Sequence, residues 1–308
     1  MKDILWYFYH ISIEDLQEYP EYSVFSFYDK TYYFTRIKRS KEELDDLLQV
    51  CEELLKKRIP VYSFIQNVQG SFVTLVEDKP YILLEVTDAK HEYGILDMME
   101  RNSLVHLRTQ KRVLYRNEWA QLWSEKVDYL EYQVHELGKS YPVILSSFSY
   151  FVGLAENAIC YVNHVERTYP KNSYDLVLSH KRVMYPNYRL NYDNPLNFIF
   201  DIEVRDIAEY LKSMALEEPK YALIDLKTYF AMRKPDVYQA SMLYARLLYP
   251  SYYFDLHEKI MNQDKKEDVL LSIIDQVDEY EKFMKQAWFV IREFVLIEPI
   301  SWILKKEL

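Results

Sequence analysis

A chain of 308 residues that is 49% apolar and 28% charged can bury one large core or two smaller ones, which excludes a disordered chain. A net charge of -10 excludes a general nucleic-acid binder, because neutralising phosphates needs a basic surface. Cys51 and Cys160 lie far apart in apolar stretches and read as buried thiols of a reducing compartment, not as a disulfide or a metal site.

The opening MKDILWYFYHISIED has no basic region followed by a long apolar core, which argues against a secretory leader. No apolar run approaches the ~20 residues that a membrane-spanning helix needs. From Tyr22 the pattern is strand-like: EYSVFSFY, a tight turn at Asp29-Lys30, then TYYFTRI, rich in aromatic and β-branched residues. The basic cluster Arg36 to Arg39 reads as solvated strand and helix ends. Ser40 with Glu43 three residues on forms a capping box for a helix carrying Leu44, Leu47, Leu48, Cys51, Leu54 and Leu55 at helical spacing. Strand-like VYSFIQN, SFVTLVED and YILLEV follow, with turns expected at Gln69-Gly70 and Lys79-Pro80.

After Val86 the character turns helical. HEYGILDMMERNSLVHLRTQ, RNEWAQLWSEKVDYLEYQVHELG and FSYFVGLAENAICYVNHVE all show spaced apolar positions. Residues 1–86 therefore read as a small β-rich lobe with one helix, and residues 87–308 as a mainly helical lobe, meeting near Val86 to Lys90. Farther on, PDVYQASMLYARLLYPSYYFDLHEKIM reads as two helices separated at Pro250, and VLLSIIDQVDEYEKFMKQAWFVIREFVL as one long helix.

The chemistry-bearing stretch runs from Leu176 to Leu211: a short strand into His180, a loop, a second apolar strand from Leu196 to Phe200, and an acidic run opening a helix. Phosphoryl-transfer sites have this order, with H-R-D-x-x-x-x-N supplying a catalytic Asp and a metal-binding Asn, and a later Asp on metal. Here His180 opens the loop, Asn187 stands at the Asn offset, and Asp201 follows the second strand. Arg182 occupies the catalytic Asp position. Asn187 and Asp201 are oxygen ligands of the kind Mg²⁺ prefers, whereas Asp201 and Glu203 could equally favour the positive end of the following helix. No G-x-S-x-G elbow, H-E-x-x-H motif or cysteine cluster is present, and the seven histidines are scattered.

NPLNFIFDIEVRDIAEYLKS, Asn194 to Ser213, and RLLYPSYYFDLHEKI, Arg246 to Ile260, carry a specific resemblance. The chain resembles the spore-coat kinase-like proteins of endospore-forming bacteria, the YutH-type branch, relatives of the aminoglycoside and choline phosphotransferases. The resemblance spans nearly the whole chain. It implies an α+β, bilobal, protein-kinase-like (aminoglycoside phosphotransferase-like) fold. It also implies that His180 matches the loop His of H-G-D, Arg182 replaces the catalytic Asp, Asn187 matches the metal-binding Asn, Asp201 and Glu203 match the acidic pair, and Asp206 matches a structural helix-start Asp.

The departures lie where ATP chemistry would occur. A guanidinium stays protonated and accepts no hydrogen bond, so Arg182 cannot take a hydroxyl proton; it would place a positive charge near the metal position. No glycine occurs before Gly70, so the phosphate-covering loop is missing. On the third strand Thr35 stands where active relatives have a Lys. Arg36 and Lys38 flank it, and with Glu85 they are the candidate cofactor contacts; Glu42, Glu43 or Asp46 could pair with Arg36. The expectation is a catalytically impaired protein, made in the cytoplasm and deposited in the spore coat. It would act there through contacts with other coat proteins, with no cofactor, nucleic acid or membrane. The alternatives are an active ATP- and Mg-dependent phosphotransferase on a small hydroxyl- or amine-bearing substrate, and a cleft holding some other ligand. The 30 tyrosines read either as packing rings or as phenols for a cross-linked assembly.

Overall fold

A computed structural model describes residues 1–19, 21–86, 92–104, 112–169, 176–263 and 265–305, and its contacts divide the chain between two units. The first comprises Met1–Tyr93, Leu107–Tyr115 and Tyr188–Ile199; the second comprises Gly94–His106, Arg116–Asn187 and Phe200–Leu308. The expected junction at Val86 to Lys90 falls mostly outside the described residues.

The first unit begins with helix α1, Lys2–Tyr9, and is built on an antiparallel sheet. Its strands are β1 (Gln17–Glu18), β2 (Tyr22–Phe27), β3 (Lys30–Arg36), β4 (Ser63–Ile65), β5 (Thr74–Val76) and β6 (Lys79–Val86). The order is β1-β2-β3-β6-β4, with β5 also on β6. Alternation along β2 and β3 turns Phe25, Tyr32 and Phe34 inward, and Phe25 stacks on its cross-strand partner Tyr32 at 5.5 Å. The expected turn shifts by one residue: Phe27 pairs with Lys30, and Tyr28 bends the chain at φ 51. A second shift occurs before β6, where Glu77 and Asp78 both take positive φ, as a type I′ hairpin turn requires. Lys79-Pro80 therefore begins the strand and is not the turn.

Both faces of β6 are covered. Leu83 packs with Leu5 of α1, Phe25 and Phe34, while Ile82 and Leu84 pack with Tyr62 and with Leu44 of α2, Lys41–Lys56. Each such side chain, fully buried, contributes about 2 to 3 kcal/mol. The capping box forms: the Ser40 hydroxyl accepts from the Glu43 amide at 3.1 Å, and the Glu43 carboxylate accepts from the Ser40 amide at 3.2 Å. The basic cluster is a partial correction. Arg36 and Lys38 are exposed, but Arg39 is buried, because its guanidinium donates to the carbonyls of Leu196 (2.8 and 3.1 Å) and Phe198 (2.5 Å) and pairs with Glu43 at 3.2 Å. A planar fork carries that many donors to neighbouring carbonyls; an ammonium would not.

The second unit is mainly helical. Its longer helices are α3 (Ile95–Leu104), α4 (Trp119–Leu137), α5 (Pro142–Thr168), α6 (Val204–Glu217), α7 (Pro219–Arg233), α8 (Val237–Leu248), α9 (Ser251–Met261) and α10 (Val277–Arg292). Between α5 and α6 lie β7 (Val177–His180) and β8 (Phe198–Asp201), which form a two-stranded sheet. The boundary between the units falls within β8, after Ile199. Helix α8 is buried from Ala240 to Leu248 and packs against α5 and α6.

Three sequence expectations need correction here. First, α5 is long and apolar enough to span a membrane by length and composition, with mean hydropathy 1.4 over its best window, although Phe148, Phe151, Ala155, Val162 and Val165 are buried within the unit. Second, Cys160 is exposed: Ala158, Tyr161, Val162 and Val165 take the inward face of α5 and turn it outward, whereas Cys51 is buried. Third, the long C-terminal helix is interrupted. A single turn, Leu271–Ile274, is followed by α10 only from Val277, and the Gln276 amide bonds the Ile273 carbonyl at 3.1 Å in a tightened step. Tyrosines serve both positions: Tyr62, Tyr229, Tyr244 and Tyr253 are fully buried, and Tyr7, Tyr28, Tyr132 and Tyr221 are exposed.

Candidate functional site

All of the loop residues singled out in the sequence lie in the second unit, between the end of β7 and the start of α6. Two consecutive residues in the first turn of α6 hold the loop. The Asp206 carboxylate accepts from the His180 amide at 3.0 Å and faces the His180 ring Nδ1 at 2.6 Å. The Arg205 guanidinium donates from Nε to the His180 carbonyl at 2.9 Å, from Nη2 to the Lys181 carbonyl at 3.2 Å, and from Nη1 to Oδ2 of Asp201 at 2.6 Å. His180 is 1% exposed and therefore braces the loop from inside.

Asp201 ends β8 and is completely buried. Besides Arg205, it accepts from the indole N–H of Trp119, at 3.0 Å to each oxygen, and from the Ile202 amide at 2.8 Å. Burial holds its pKa above the usual carboxylate value, and the charges of Arg205 and Arg246, with the Trp119 and Ile202 bonds, offset that only in part. The positive charge expected beside this carboxylate is present, but Arg205 supplies it.

Arg182 points elsewhere. Its Nε and Nη2 fork onto both oxygens of Asp255 on α9, and Nη1 donates to the Lys181 carbonyl at 2.8 Å. Glu203 pairs with Arg233 of α7 at 3.2 Å. Asn187 is 2% exposed, and its amide nitrogen has no hydrogen-bond partner among the described residues.

Beneath the loop lies a buried charged cluster that the sequence reading did not single out. Oε1 of Glu209 accepts from Lys212 at 3.0 Å and from Nε of Arg246 at 2.7 Å, Oε2 accepts from the Ser251 hydroxyl at 3.1 Å, and Lys212 also donates to Ser251 at 2.9 Å. The Arg246 guanidinium sits 4.8 Å from the Trp119 ring centroid and 5.4 Å from that of Trp123, whose ring stacks on Tyr249 at 4.2 Å. Burial disfavours every charge here, so it pushes Lys212 down to about 8 and Arg246 down to about 10 despite Glu209. For Glu209 burial acts upward, but Lys212 and Arg246 overcome it and hold the carboxyl well below its usual range.

The spacing was available in the sequence. Arg205, Glu209 and Lys212 recur at i, i+4 and i+7, which reads as a solvated stripe unless a partner is known. The partners of Glu209 and Lys212 come from the second specific run, Arg246 to Ile260, which supplies Arg246 and Ser251. The two segments that carry the family resemblance are therefore the two that the fold ties together.

A cation site does not fit these residues. Both oxygens of Asp201 are taken by protein donors, Glu203 is engaged by Arg233, and among the described residues no group of three His, Cys, Asp or Glu side chains is disposed to hold a metal ion. In the first unit, Thr35 donates to the Glu21 carbonyl at 2.9 Å, Lys38 pairs with Glu21, and Glu85 pairs with Lys30 at 2.7 Å. Arg36 ends β3 exposed, and Glu43 is engaged by Arg39.

The family model described as "Spore coat putative kinase YutH" matches residues 2–287. The chain belongs to this YutH family. It is 25% identical over 293 residues to the endospore coat-associated protein YutH of Bacillus subtilis (strain 168), an alignment that covers 86% of each chain. Among solved structures, an aminoglycoside phosphotransferase from Alicyclobacillus acidocaldarius superposes with a TM-score of 0.61 at 11% identity, covering 91% of this chain and 93% of that one. A spectinomycin phosphotransferase solved with ADP and spectinomycin gives 0.59 at 11% identity over 94% and 97%. Such identities establish the fold alone. The expected family and the α+β aminoglycoside phosphotransferase-like fold are both borne out.

Proposed function

We propose that this YutH-family chain is a catalytically impaired kinase-like protein that works in the spore coat through contacts with other coat proteins, without ATP or Mg²⁺. The observation that carries the reading is the state of Asp201. A carboxylate that would hold a metal instead receives Arg205, the Trp119 indole and the Ile202 amide, so a cation would have to displace a buried guanidinium. Arg182 adds a second argument: at the position where a phosphotransferase needs a carboxylate base, a guanidinium is locked to Asp255. Coat deposition rests on the coat association of the Bacillus subtilis relative.

The test is titration of the purified protein with ATP and Mg²⁺, followed by calorimetry and by thermal shift. No heat of binding and no change in Tm are expected. Nucleotide binding accompanied by phosphoryl transfer to a small hydroxyl or amine compound would overturn the proposal in favour of an active phosphotransferase. The coat role is tested separately, by fractionating spores of a strain that carries a tagged copy. Recovery outside the coat fraction would remove it.

A further inference from the structure

In the first unit, the outer edge of the sheet is only half used. The Tyr22 carbonyl accepts from the Tyr19 amide at 2.8 Å, so Tyr22 directs its backbone toward β1. Along an antiparallel strand the direction alternates, so Val24 and Ser26 also face that edge, while Ser23, Phe25 and Phe27 bond to β3. β1 ends opposite Val24, and the segment before it does not continue the ladder. The amide and carbonyl of Ser26 are left facing a cleft of about 570 Å³, bounded by Ser12, Glu14 and Asp15 on one side and by Phe27 and Tyr28 on the other.

The cleft has a definite charge. Glu14 and Asp15 are exposed, and neither carboxylate has an ion-pair partner among the described residues. The Lys2 ammonium is close, but it is directed to the Glu14 carbonyl. The Tyr28 ring is 88% exposed at the open end, a surface on which the methylene stem of a Lys or Arg can lie. This edge already accepts one short strand, β1, which shows that its backbone geometry supports pairing.

We propose that this cleft takes an extended basic segment of a partner polypeptide, which adds to β2 as a short strand beyond β1. Backbone pairing to Ser26 would supply the register, and Glu14 and Asp15 would select the positive side chains. A strand advances about 3.3 Å per residue, so three or four residues of the partner fill the site. The inference uses no residue of the loop around Arg182 and does not depend on whether the protein binds nucleotide.

The test is fluorescence anisotropy with a labelled twelve-residue peptide of alternating Lys and Thr, against the full chain. Binding is expected. A peptide of the same sequence with N-methylated backbone amides should bind at least tenfold more weakly, as should the Glu14→Lys/Asp15→Lys variant titrated with the unmodified peptide. Ser26→Pro removes only an amide that faces the edge, so the ladder to β3 should survive while binding falls by a similar factor. If that variant does not fold, the N-methylated peptide on the wild-type chain carries the same question. The proposal is overturned if the unmodified peptide does not bind. It is also overturned if the N-methylated peptide binds equally well, because the attraction would then be charge alone.

Discussion

Nη1 of Arg205 lies 2.6 Å from Oδ2 of Asp201, four residues away, with both groups buried. The pair closes the end of β8 onto the first turn of α6. Removing one partner leaves a desolvated charge, which costs about 3 to 5 kcal/mol. We expect Arg205→Ala to lower the urea midpoint by that measure. We further expect Mg²⁺ to recover part of the loss in the variant and to leave the wild type unchanged. Equal Mg²⁺ responses in the two proteins would contradict the claim that Arg205 occupies the cation's place.

The cluster around Glu209 gives a second expectation. Glu209→Gln leaves Lys212 and Arg246 facing each other without a counter-charge, so a loss of about 3 to 5 kcal/mol is expected. Combining it with Lys212→Met removes one of those cations, so the double variant should be more stable than the sum of the two single changes predicts. Strict additivity in a thermodynamic cycle would show that the two residues act independently.

His257 supplies a pH dependence. It is fully buried, its ring nitrogens have no hydrogen-bond partner among the described residues, and it lies edge-on to Phe148 and Tyr253. Burial, with the Lys126 charge second, pushes its pKa down to about 4. The unfolded chain therefore binds the proton more readily than the native one. Stability from this residue is fully present above about pH 6.5 and is lost as the pH falls toward about 4, by roughly 3 kcal/mol in total. His257→Leu should flatten stability across that window, as read from urea midpoints at pH 7 and pH 4.5. An unchanged slope would assign the acid sensitivity to other groups.

In the first unit, Arg39→Lys keeps the charge and loses the fork. Hydrogen bonds from a charged donor are worth about 1.5 to 3 kcal/mol, and an ammonium cannot reach both the Leu196 and the Phe198 carbonyls along with Glu43. A loss of about 2 kcal/mol is expected, with faster amide hydrogen exchange in the segment from Pro195 to Ile199. Unaltered exchange there would mean that the arginine is incidental to that segment.

Local pattern explains what could be read before the structure. The hairpin of β2 and β3, the capping box at Ser40 and Glu43, and the two helices flanking Pro250 each depend on residues close in sequence, and each was legible. Burial of charge was not. Arg39 looked like one member of a solvated basic cluster, and its role depends on carbonyls more than 150 residues away. Arg205 was similarly hidden: its neighbour Asp206 matched a known helix-start position, but nothing local indicated that Arg205 would turn toward Asp201. Spacing along the loop places Arg182 beside the metal carboxylate, because sequence spacing cannot say which of two arginines folds inward. The break before Val277 has no proline or glycine to announce it, and the outward position of Cys160 follows from helical phase more than from the apolar character of its neighbours.

Helix α6 turns Arg205, Asp206, Glu209 and Lys212 inward, and two of their partners, Arg246 and Ser251, arrive some forty residues later. On the ribosome, a chain that has emerged only as far as Leu211 has no cation from α8 to set against Glu209. Its carboxylate is better served by water, although Arg205 and Asp206 at the start of α6 already have their partners at Asp201 and His180. Burial of the Glu209 and Lys212 half of this helix therefore becomes favourable only once the segment through Ser251 is made, so that electrostatics helps to set the order of assembly in this unit.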